Sequence, residues 1–428
     1  MVQPTLFSEE STNVEDKRSS TFVDNMKLPI HRWYRYTAGF SANWVASVIR
    51  EAKKKGQVRV LDPFAGSGTV PLESVLNGVD SYGIESNPFV CKIANAKLAW
   101  MNIDKDVLIK TCRNVLLSAK SLECETREYP DLVSRCFPHE TLRKLTALKL
   151  ACEKVAPGRV QDFVWFVITS ILRTCSPVGT AQWQYIQPRK TKSKVLDPYE
   201  AFAKKIDEIL SDIVSEEGRN EKKAEAHIVL ADARENAPIP SAWANLVVTS
   251  PPYANNYDYA DAMRLEMLFW GEINGWKDLQ EKVSVNLVRA CTQHVGGLQK
   301  SVSAILGSNE LASIKEEIEE KYQALLRARE GHGGKKNYHL MIVAYFYDLS
   351  RVLRSLNRMT SDDCRMCFVI GDSAPYGVYI PVDDWLGKLA VAAGFRCYRF
   401  EKLRDRNVKW KNRKHRVPLK EGRLWIDK

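Results

Sequence analysis

Two short motifs in this chain hold residue types that suit binding and group-transfer chemistry. The first, DPFAGSGT, occupies residues 62–69, and the second, SPPY, occupies residues 250–253. Glycine lets a backbone approach a ligand closely, because it lacks a side chain and adopts unusual φ/ψ angles. Proline stiffens a turn, so the second motif holds a hydroxyl and backbone carbonyls in place beside an aromatic ring. The first motif therefore suits a nucleotide-like cofactor, and the second suits recognition of an amine or amide group.

Each motif directly follows a run that predicts a buried strand. Residues 58–61 (VRVL) precede the first motif and residues 246–249 (LVVT) precede the second. A strand that leads into a glycine-rich turn and then a helix is where an α/β sheet binds nucleotide-like ligands. Two further predicted strands, residues 81–84 and 227–230, are followed by the acids Glu85 and Asp232. The sequence therefore predicts three acids, with Asp62 as the first, at the ends of three sheet strands.

Together the two motifs resemble those of the DNA amino-methyltransferases, which use S-adenosylmethionine to methylate an exocyclic amine. Serine at the first place of the tetrapeptide, Ser250, is similar to the cytosine-N4 branch of that family. The resemblance implies an α/β, Rossmann-like S-adenosylmethionine-dependent methyltransferase fold. Such a fold has a mostly parallel seven-stranded sheet with helices on both faces, here with helical insertions. The resemblance extends over the sheet strands and turns, roughly half of the chain.

The resemblance implies a set of cofactor-binding residues. Asp62 takes the ammonium group of S-adenosylmethionine, and Asp232 faces the adenine amino group. Glu85, at the end of the second strand, is placed to accept both ribose hydroxyls. The glycine-rich turn contributes Phe64, Ala65, Gly66, Ser67, Gly68 and Thr69.

A segment before the first strand, AGFSANW at residues 38–44, resembles the family motif that packs on the methionine end of the cofactor. The residues carried over are Phe40, Ser41 and Asn43. Ser41 also reads as an ordinary N-cap of a helix predicted over residues 41–55. The two interpretations of this serine are compatible, and both stay open.

The resemblance implies catalysis without a covalent adduct. An exocyclic amine is a poor nucleophile, so the enzyme must hold the nitrogen facing the methyl group of the cofactor. Ser250 Oγ and the Pro251 carbonyl are placed to accept the amine hydrogens, and Pro252 stiffens the turn. Tyr253 stacks on a base that has left the duplex. No Pro-Cys dipeptide occurs in the chain, which separates it from the carbon-5 cytosine methyltransferases.

The charge of the chain points to a polyanionic partner. The 428 residues have a net charge of +11 and a pI near 9.0. The family resemblance implies that this partner is double-stranded DNA, the substrate, and that a cognate restriction endonuclease is a further partner. The predicted DNA contacts are Tyr257 and Tyr259, a loop over residues 186–194 with Arg189, Lys190, Lys192 and Lys194, and a basic segment with Lys411 and Arg413. A solvated surface loop is the alternative for residues 186–194.

The predicted organisation interleaves a core with two insertions. The catalytic core comprises residues 29–100, 226–253 and 337–428, after a disordered segment over residues 1–28. Residues 101–225 form a helical insertion that is a candidate for target recognition. Residues 254–336 form a second insertion that is a candidate for DNA contact.

Several classes of protein are disfavoured by the composition. No apolar run reaches the length of about 20 residues that a membrane span needs, and the N-terminal residues lack the pattern of a signal peptide. The ten cysteines are scattered, which favours reduced thiols in a cytoplasmic protein. The lone CxxC at residues 364–367 has no second ligand pair at zinc spacing, so we expect neither a metal site nor membrane association.

The sequence predicts a site-specific DNA methyltransferase acting on the N4 of cytosine, within a restriction–modification or similar defence system. Adenine-N6 methylation of DNA remains open, although its tetrapeptide usually begins with Asp or Asn. Guanosine-N2 methylation of transfer RNA is disfavoured, because little sequence precedes the core to bind RNA. A catalytically silent nucleic-acid-binding scaffold is the alternative from another class.

Overall fold

The computed structural model describes residues 22–122, 128–180, 186–217, 224–334, 336–406 and 417–428. The helices are α1 Ala42–Lys53, α2 Thr69–Leu76, α3 Pro88–Leu98, α4 Lys105–Ser121, α5 Asp131–Cys136, α6 His139–Glu153, α7 Arg159–Cys175, α8 Pro198–Glu216, α9 Arg264–Trp270, α10 Trp276–Lys282, α11 Val302–Leu306, α12 Lys315–Gly331, α13 Tyr338–Met359 and α14 Val382–Ala392. The strands are β1 Arg59–Asp62, β2 Asp80–Glu85, β3 Val178–Thr180, β4 Ile186–Thr191, β5 Ala226–Leu230, β6 Ala244–Thr249, β7 Thr360–Gly371, β8 Cys397–Arg406 and β9 Leu419–Asp427.

Seven strands form one sheet in the order β5-β2-β1-β6-β7-β9-β8. The first five of these run parallel to one another, and β9 runs antiparallel to both of its neighbours. The central strands β1 and β6 are short and apolar, as expected for parallel strands covered on both sides. The predicted fold class, a mostly parallel seven-stranded Rossmann-like sheet, is confirmed.

Helices cover both faces of this sheet. Leu61 and Val247 belong to a buried cluster with residues of α13 and α14. Their neighbours Val60 and Leu246 belong to a second cluster that contains residues of α1 and α2. Because successive side chains of a strand point to opposite faces, this alternation is what places one helical layer on each side.

The C-terminal part of the sheet contains a strand, β9, that the sequence does not predict. β9 lies between β7 and β8, and β8 extends to Arg406. The sequence of β9 shows no apolar alternation, because the strand contains charged residues that are buried in ion pairs. Glu421 is 4% exposed and pairs with Arg404, and Arg423 is 6% exposed and pairs with Glu401.

The prediction of a loop over residues 186–194 is wrong for residues 186–191. Residues 186–191 form β4, which pairs antiparallel with β3 in a two-stranded sheet. The sequence IQPRKT shows no apolar alternation, and its strand geometry comes from the partner strand. Lys192, the next residue, continues the pairing, since its N–H donates to the Pro177 carbonyl at 2.8 Å.

Residues 22–28 differ from the predicted disorder, whereas residues 1–21 lie outside the described part of the chain. Val23–Lys27 is a 3₁₀ helix, and Asn25 within it is buried. The Asn25 amide donates to the Phe40 carbonyl at 2.9 Å, and its oxygen accepts from the Ala42 N–H at 2.9 Å. This segment therefore packs against the start of α1.

Asp212 of α8 binds the segment that precedes α1, residues 30–33. Its carboxylate is 1% exposed and accepts hydrogen bonds from the Ile30 N–H at 3.0 Å and the Trp33 indole at 2.8 Å. Arg32 adds an ion pair to the same group. A buried carboxylate is tolerated only with such partners, so the contact ties the two parts of the chain together.

Among the helices that the structure describes, none is long and apolar enough to cross a membrane.

Candidate active site

The two sequence motifs meet at one cavity on the carboxyl edge of the sheet. Strands β1, β2, β5 and β6 all end there, which is where open α/β sheets bind ligands. Of the predicted site residues, the cavity is lined by Phe64, Gly66, Glu85, Asp232, Ser250, Pro252 and Tyr259. Residues far apart in the sequence are thus brought to a single site.

The glycine-rich turn has the backbone geometry that its sequence predicts. Gly66 has φ of 51° and Gly68 has φ of 81°, both in the left-handed region that favours glycine. A Cβ at Gly66 would lie 2.8 Å from the Tyr36 ring, so this position also lacks room for a side chain. The turn therefore holds its backbone against Tyr36, which lines the same cavity.

Glu85 ends β2 with its carboxylate held by backbone N–H groups. Oε2 accepts from the Gly66 N–H at 2.9 Å and Oε1 accepts from the Asn87 N–H at 2.8 Å. Burial raises the pKa of Glu85 to about 7, and these hydrogen bonds oppose the rise. The carboxylate thus joins the glycine-rich turn to the start of α3 and lines the cavity.

Asp62 is buried at the end of β1, directly before Pro63 and Phe64, which line the cavity. Its Oδ1 accepts from the Thr249 hydroxyl at 2.6 Å and from the Phe64 N–H at 3.0 Å. Its Oδ2 makes no hydrogen bond with any described residue. Burial raises the pKa of Asp62 to about 7. A buried carboxylate oxygen of this kind suits a cationic ligand group.

Asp232, after β5, has a different environment. The Arg234 guanidinium donates to both of its oxygens, from Nε to Oδ1 at 2.9 Å and from Nη2 to Oδ2 at 2.6 Å. Arg234 also contacts Asp348, a fully buried residue of α13, at 3.2 Å. Asp232 therefore lines the cavity as one half of an ion pair.

The tetrapeptide is held by two neighbouring elements. The Ser250 hydroxyl donates to the Val369 carbonyl of β7 at 3.2 Å. The Pro252 carbonyl accepts from the Tyr345 hydroxyl of α13 at 2.8 Å. Because the one proton of Ser250 is directed at β7, its Oγ can act only as an acceptor toward other groups, and the Tyr253 phenol is hydrogen-bonded to the same side chain.

Tyr253 closes the tetrapeptide and lies beneath an arginine. The Arg406 guanidinium is centred 5.2 Å from the Tyr253 ring, within the range of a cation–π contact. The Tyr253 N–H donates to the Tyr259 hydroxyl at 3.2 Å. Burial raises the pKa of the Tyr253 phenol, so this ring stays neutral.

Some predicted cofactor residues do not line this cavity. Phe40 is buried against Trp44, with ring centroids 5.8 Å apart, and Asn43 is exposed on α1. Ser41 acts as the N-cap of α1, since its Oγ accepts from the Trp44 N–H at 3.3 Å. The helix-cap interpretation of Ser41 is therefore confirmed, and the cofactor role of these three residues stays a prediction.

The rest of the glycine-rich turn faces a smaller neighbouring cavity or the core. Ser67 and Thr69 line that smaller cavity together with Lys97, and Ala65 is buried. Lys97 is 2% exposed, and its ammonium donates to the Ser67 carbonyl at 3.0 Å. Burial lowers the pKa of Lys97 to about 7. Lys97 thus supports the turn from the side away from the main cavity.

The predicted DNA-contacting residues are in varied positions. Lys192 is committed to the end of α7, because its ammonium donates to the Arg173 carbonyl at 2.7 Å. Lys194 is exposed. Tyr257 is 6% exposed and packs edge-to-face on Tyr259. Only the backbone is described for residues 186–190, which include Arg189 and Lys190. Lys411 and Arg413 lie outside the described residues, and all of these DNA contacts stay predictions.

Sequence reasoning missed several residues that line or support the cavity. Tyr36 and Asn87 lie just outside the motifs that the sequence singles out, whereas Leu287 and Val288 come from residues 254–336. Leu287 and Val288 carry no chemical motif, so only the tertiary structure reveals them. Tyr345 lies in a strongly apolar helix, where its hydroxyl gave no signal.

The sheet order and the cavity at its carboxyl edge define the class of protein, one with a Rossmann-like methyltransferase fold. Residues 6–96 match a family model of N6 and N4 methyltransferases that is described as DNA methylase. This match includes the glycine-rich turn and Glu85. Over this stretch the chain is similar to the DNA amino-methyltransferases.

Curated relatives are also Type II methyltransferases, and two of the three named here are similar to this chain over most of its length. The Type II methyltransferase M.BsoBI of Geobacillus stearothermophilus is 24% identical over 93% of this chain and 84% of its own length. The Type II methyltransferase M.AvaI of Nostoc sp. is 26% identical over 88% of this chain and 81% of its own length. The Type II methyltransferase M.MjaII of Methanocaldococcus jannaschii is 33% identical over 19% of this chain and 16% of its own length.

Proposed function

We propose that this protein transfers a methyl group from S-adenosylmethionine to the exocyclic N4 of cytosine in double-stranded DNA. The observation that carries the proposal is the single cavity that joins the glycine-rich turn and Glu85 to Ser250 and Pro252. A cofactor held by the turn would present its reactive end to the tetrapeptide. The Type II relatives support a place in a restriction–modification or similar defence system, in the cytoplasm and beside a cognate endonuclease.

The carboxylates at the sheet edge fit the cofactor. Asp62 Oδ2, which has no hydrogen bond within the described chain, suits the ammonium group of the methionine moiety. Glu85 uses one lone pair of each oxygen on a backbone N–H and keeps others for the ribose hydroxyls. When bound, S-adenosylmethionine supplies an electrophilic methyl group. Asp232 faces the same cavity, but its salt bridge with Arg234 leaves it a weaker contact for the adenine amine.

Ser250 and Pro251 would hold the target amine. The Ser250 hydroxyl donates to Val369, so its Oγ is oriented to accept a hydrogen from the amine. The Pro251 carbonyl would accept the second hydrogen, which turns the nitrogen lone pair toward the methyl group. The Tyr345 bond to the Pro252 carbonyl keeps this turn rigid. Tyr253 would stack on the flipped base. The Arg406 guanidinium, which now lies over the Tyr253 ring, must then either move away or remain on one face of the ring while the base stacks on the other.

Target recognition is proposed for the two insertions, residues 101–225 and 254–336. Leu287 and Val288 of the second insertion line the cavity, which supports a contact between this insertion and the base or its neighbours. The net charge of +11 supports binding to the phosphate backbone.

Adenine-N6 methylation is the second candidate, because the matching family model covers N6 and N4 enzymes together. Ser250 is the residue that favours cytosine. Transfer RNA methylation and a silent scaffold rank below these, since the site retains Ser250 and both buried carboxylates.

The test is to express the protein in a methylation-free bacterial host and sequence the DNA with modification-sensitive reads. We expect N4-methylcytosine in one short motif, and none from a Ser250→Ala variant that still binds S-adenosylmethionine. N6-methyladenine would keep the cofactor and replace the target base. Unmodified DNA from soluble protein that binds the cofactor would redirect the search to RNA, and absence of cofactor binding would favour the silent scaffold.

Asp62→Ala provides a complementary test. We expect this variant to lose affinity for S-adenosylmethionine, whereas Ser250→Ala loses turnover and keeps cofactor affinity. Equal cofactor affinity in Asp62→Ala and the wild type would reject the role assigned to Asp62.

A further inference from the structure

A second group of reactive side chains lies outside the cavity described above. One ligand atom each from Asp258, Cys291 and His294 lies within 4.8 Å of the other two. We propose that these three residues bind a zinc ion, which fastens the segment after the tetrapeptide to the second insertion. The proposal departs from the sequence expectation that the protein has no metal site.

The donor set fits zinc. Thiolate, imidazole and carboxylate are the three ligand types that protein zinc sites use. With bonds of about 2.0–2.3 Å, tetrahedral ligands lie about 3.3–3.8 Å from each other. His294 Nε2 and Asp258 Oδ2 are 3.3 Å apart, which matches one edge of such a tetrahedron. The three ligand atoms lie within 4.8 Å of one another, so binding one ion requires the longest of these distances to shorten by about 1 Å.

The buried His294 ring contacts Asp258, but this contact lacks hydrogen-bond geometry. Its side chain is 4% exposed, and neither Nδ1 nor Nε2 makes a hydrogen bond with a residue in the described ranges. An unsatisfied buried polar group costs about 1–3 kcal/mol. A metal bond at one of these nitrogens would remove part of that cost.

The other two ligands are oriented by backbone N–H groups. Asp258 Oδ1 accepts from the Ala260 N–H at 3.0 Å and the Asp261 N–H at 3.1 Å, which leaves Oδ2 facing His294. Cys291 is 2% exposed, and the Gln293 N–H donates to its sulfur. Zinc binding would form the Zn–S bond and release the thiol proton to solvent.

The two segments that carry the ligands are already paired. The Asn256 N–H donates to the Ala290 carbonyl at 3.1 Å, and the Thr292 N–H donates to Asn256 Oδ1 at 2.8 Å. Asp258 adjoins Tyr259, and Cys291 lies close in sequence to Val288, and both Tyr259 and Val288 line the candidate active site. An ion at the three ligands would therefore brace two walls of that site.

Water has a route to a fourth coordination position. His294 lines a cavity of about 480 Å³ that opens to solvent. The arginines of this cavity are already in ion pairs: Arg234 with Asp232, Arg289 with Asp348 and Arg351 with Glu235. Their charge is thus largely offset, and three protein ligands with one water form a complete tetrahedral site.

The first experiment measures the zinc content of the full chain, prepared without an affinity tag or chelator, by mass spectrometry of the elements. We expect one zinc ion per chain in the wild type and loss of most zinc in Cys291→Ser and in His294→Gln. Cys397→Ser and His227→Gln are the matched controls, because both residues are exposed, and they should keep the zinc. Circular dichroism confirms that the variants fold.

The second experiment needs no ligand variant to fold. Protein that has been dialysed against a chelator is titrated with Co²⁺, and absorption is recorded. We expect a thiolate-to-cobalt charge-transfer band and competition by Zn²⁺, with the same band in Cys397→Ser. Zinc content no higher in the wild type than in Cys291→Ser, together with no charge-transfer band, would overturn the proposal. Neither readout depends on methyl transfer.

Discussion

Glu85 and Asp232 are two acids at the same edge of the same sheet, and they line the same cavity. Glu85 is held by two backbone N–H groups, whereas Asp232 is paired with the Arg234 guanidinium through both oxygens. A backbone N–H is uncharged, so it leaves the negative charge of a carboxylate available to a ligand. An arginine that binds both oxygens neutralises that charge.

The comparison shows that the position of an acid after a strand predicts where it lies and leaves open what it can bind. The partner of Asp232 is only two residues away, but no local signal predicts that the two side chains pair. Asp348 of α13 fixes Arg234 in place from a distant part of the chain. We therefore expect Glu85 to serve ligand binding and Asp232 to serve mainly stability.

The largest expected effect comes from Glu85→Ala. Loss of charge-assisted bonds to the ribose should weaken S-adenosylmethionine binding by about 100-fold, or about 3 kcal/mol. Isothermal titration calorimetry measures this directly. Glu225→Ala, at an exposed acid next to β5, is the control and should bind normally. An affinity for Glu85→Ala within a factor of two of the wild type would remove the contrast between the two acids.

Asp232→Asn should have the opposite profile. Breaking its partly buried pair with Arg234 should lower the free energy of unfolding by about 2 kcal/mol, because the guanidinium loses a charged partner. Cofactor affinity should fall by less than about tenfold, the value of one hydrogen bond. Urea denaturation measures the first and calorimetry the second. Asp405→Asn, in an exposed pair with Lys402, should change stability little.

The pH dependence of cofactor binding sharpens the same comparison. Burial raises the pKa of both Asp62 and Glu85 to about 7, and both are proposed to bind as carboxylates. As pH falls below about 7 they take up protons, so affinity should fall by at least about tenfold per pH unit. In Glu85→Gln one of the two titrating carboxyl groups is absent, so cofactor affinity should change less steeply with pH than in the wild type. A flat profile between pH 6 and about 8 would contradict these assignments.

The smallest expected effect concerns two lysines of one segment, which differ, as the two acids do, in whether a neighbouring group already occupies the charge. Lys192 is occupied by carbonyl groups at the end of α7, whereas Lys194 is exposed. Lys194→Ala should weaken DNA binding by about threefold, and less so at high salt. Lys192→Ala should leave DNA affinity near that of the wild type and lower stability by about 1 kcal/mol. Fluorescence anisotropy at two salt concentrations distinguishes the two outcomes.

The sequence predicted those elements whose conformation depends on residues close together in the chain, such as a helix with its cap or a glycine turn. The Ser41 cap and the apolar face predicted α1 within two residues of its bounds, and the glycines of the turn have the backbone angles that their type suggests. The signals failed where a distant partner decides the structure. β4 forms a strand because it pairs with β3. β9 contains two buried charged residues, Glu421 and Arg423, and each forms an ion pair with a residue of the neighbouring strand β8.

The candidate metal ligands were missed for the same reason. Cys291 and His294 lie three positions apart, a short spacing with no second pair beside it in the sequence. Asp258 completes the group from a segment that reaches it only in the folded chain. Spacing rules detect ligand pairs on one segment and give no signal for a single acid on another.

The position of β9 has a consequence for the order in which the sheet assembles. β9 lies between β7 and β8, and among the described strands it is the one with which β8 pairs. β8 can therefore join the sheet only together with β9 or after it, although β8 comes first in the chain. The parallel strands from β5 to β7 pair with one another without either of them, so the edge that holds the candidate active site can form before the antiparallel edge is complete.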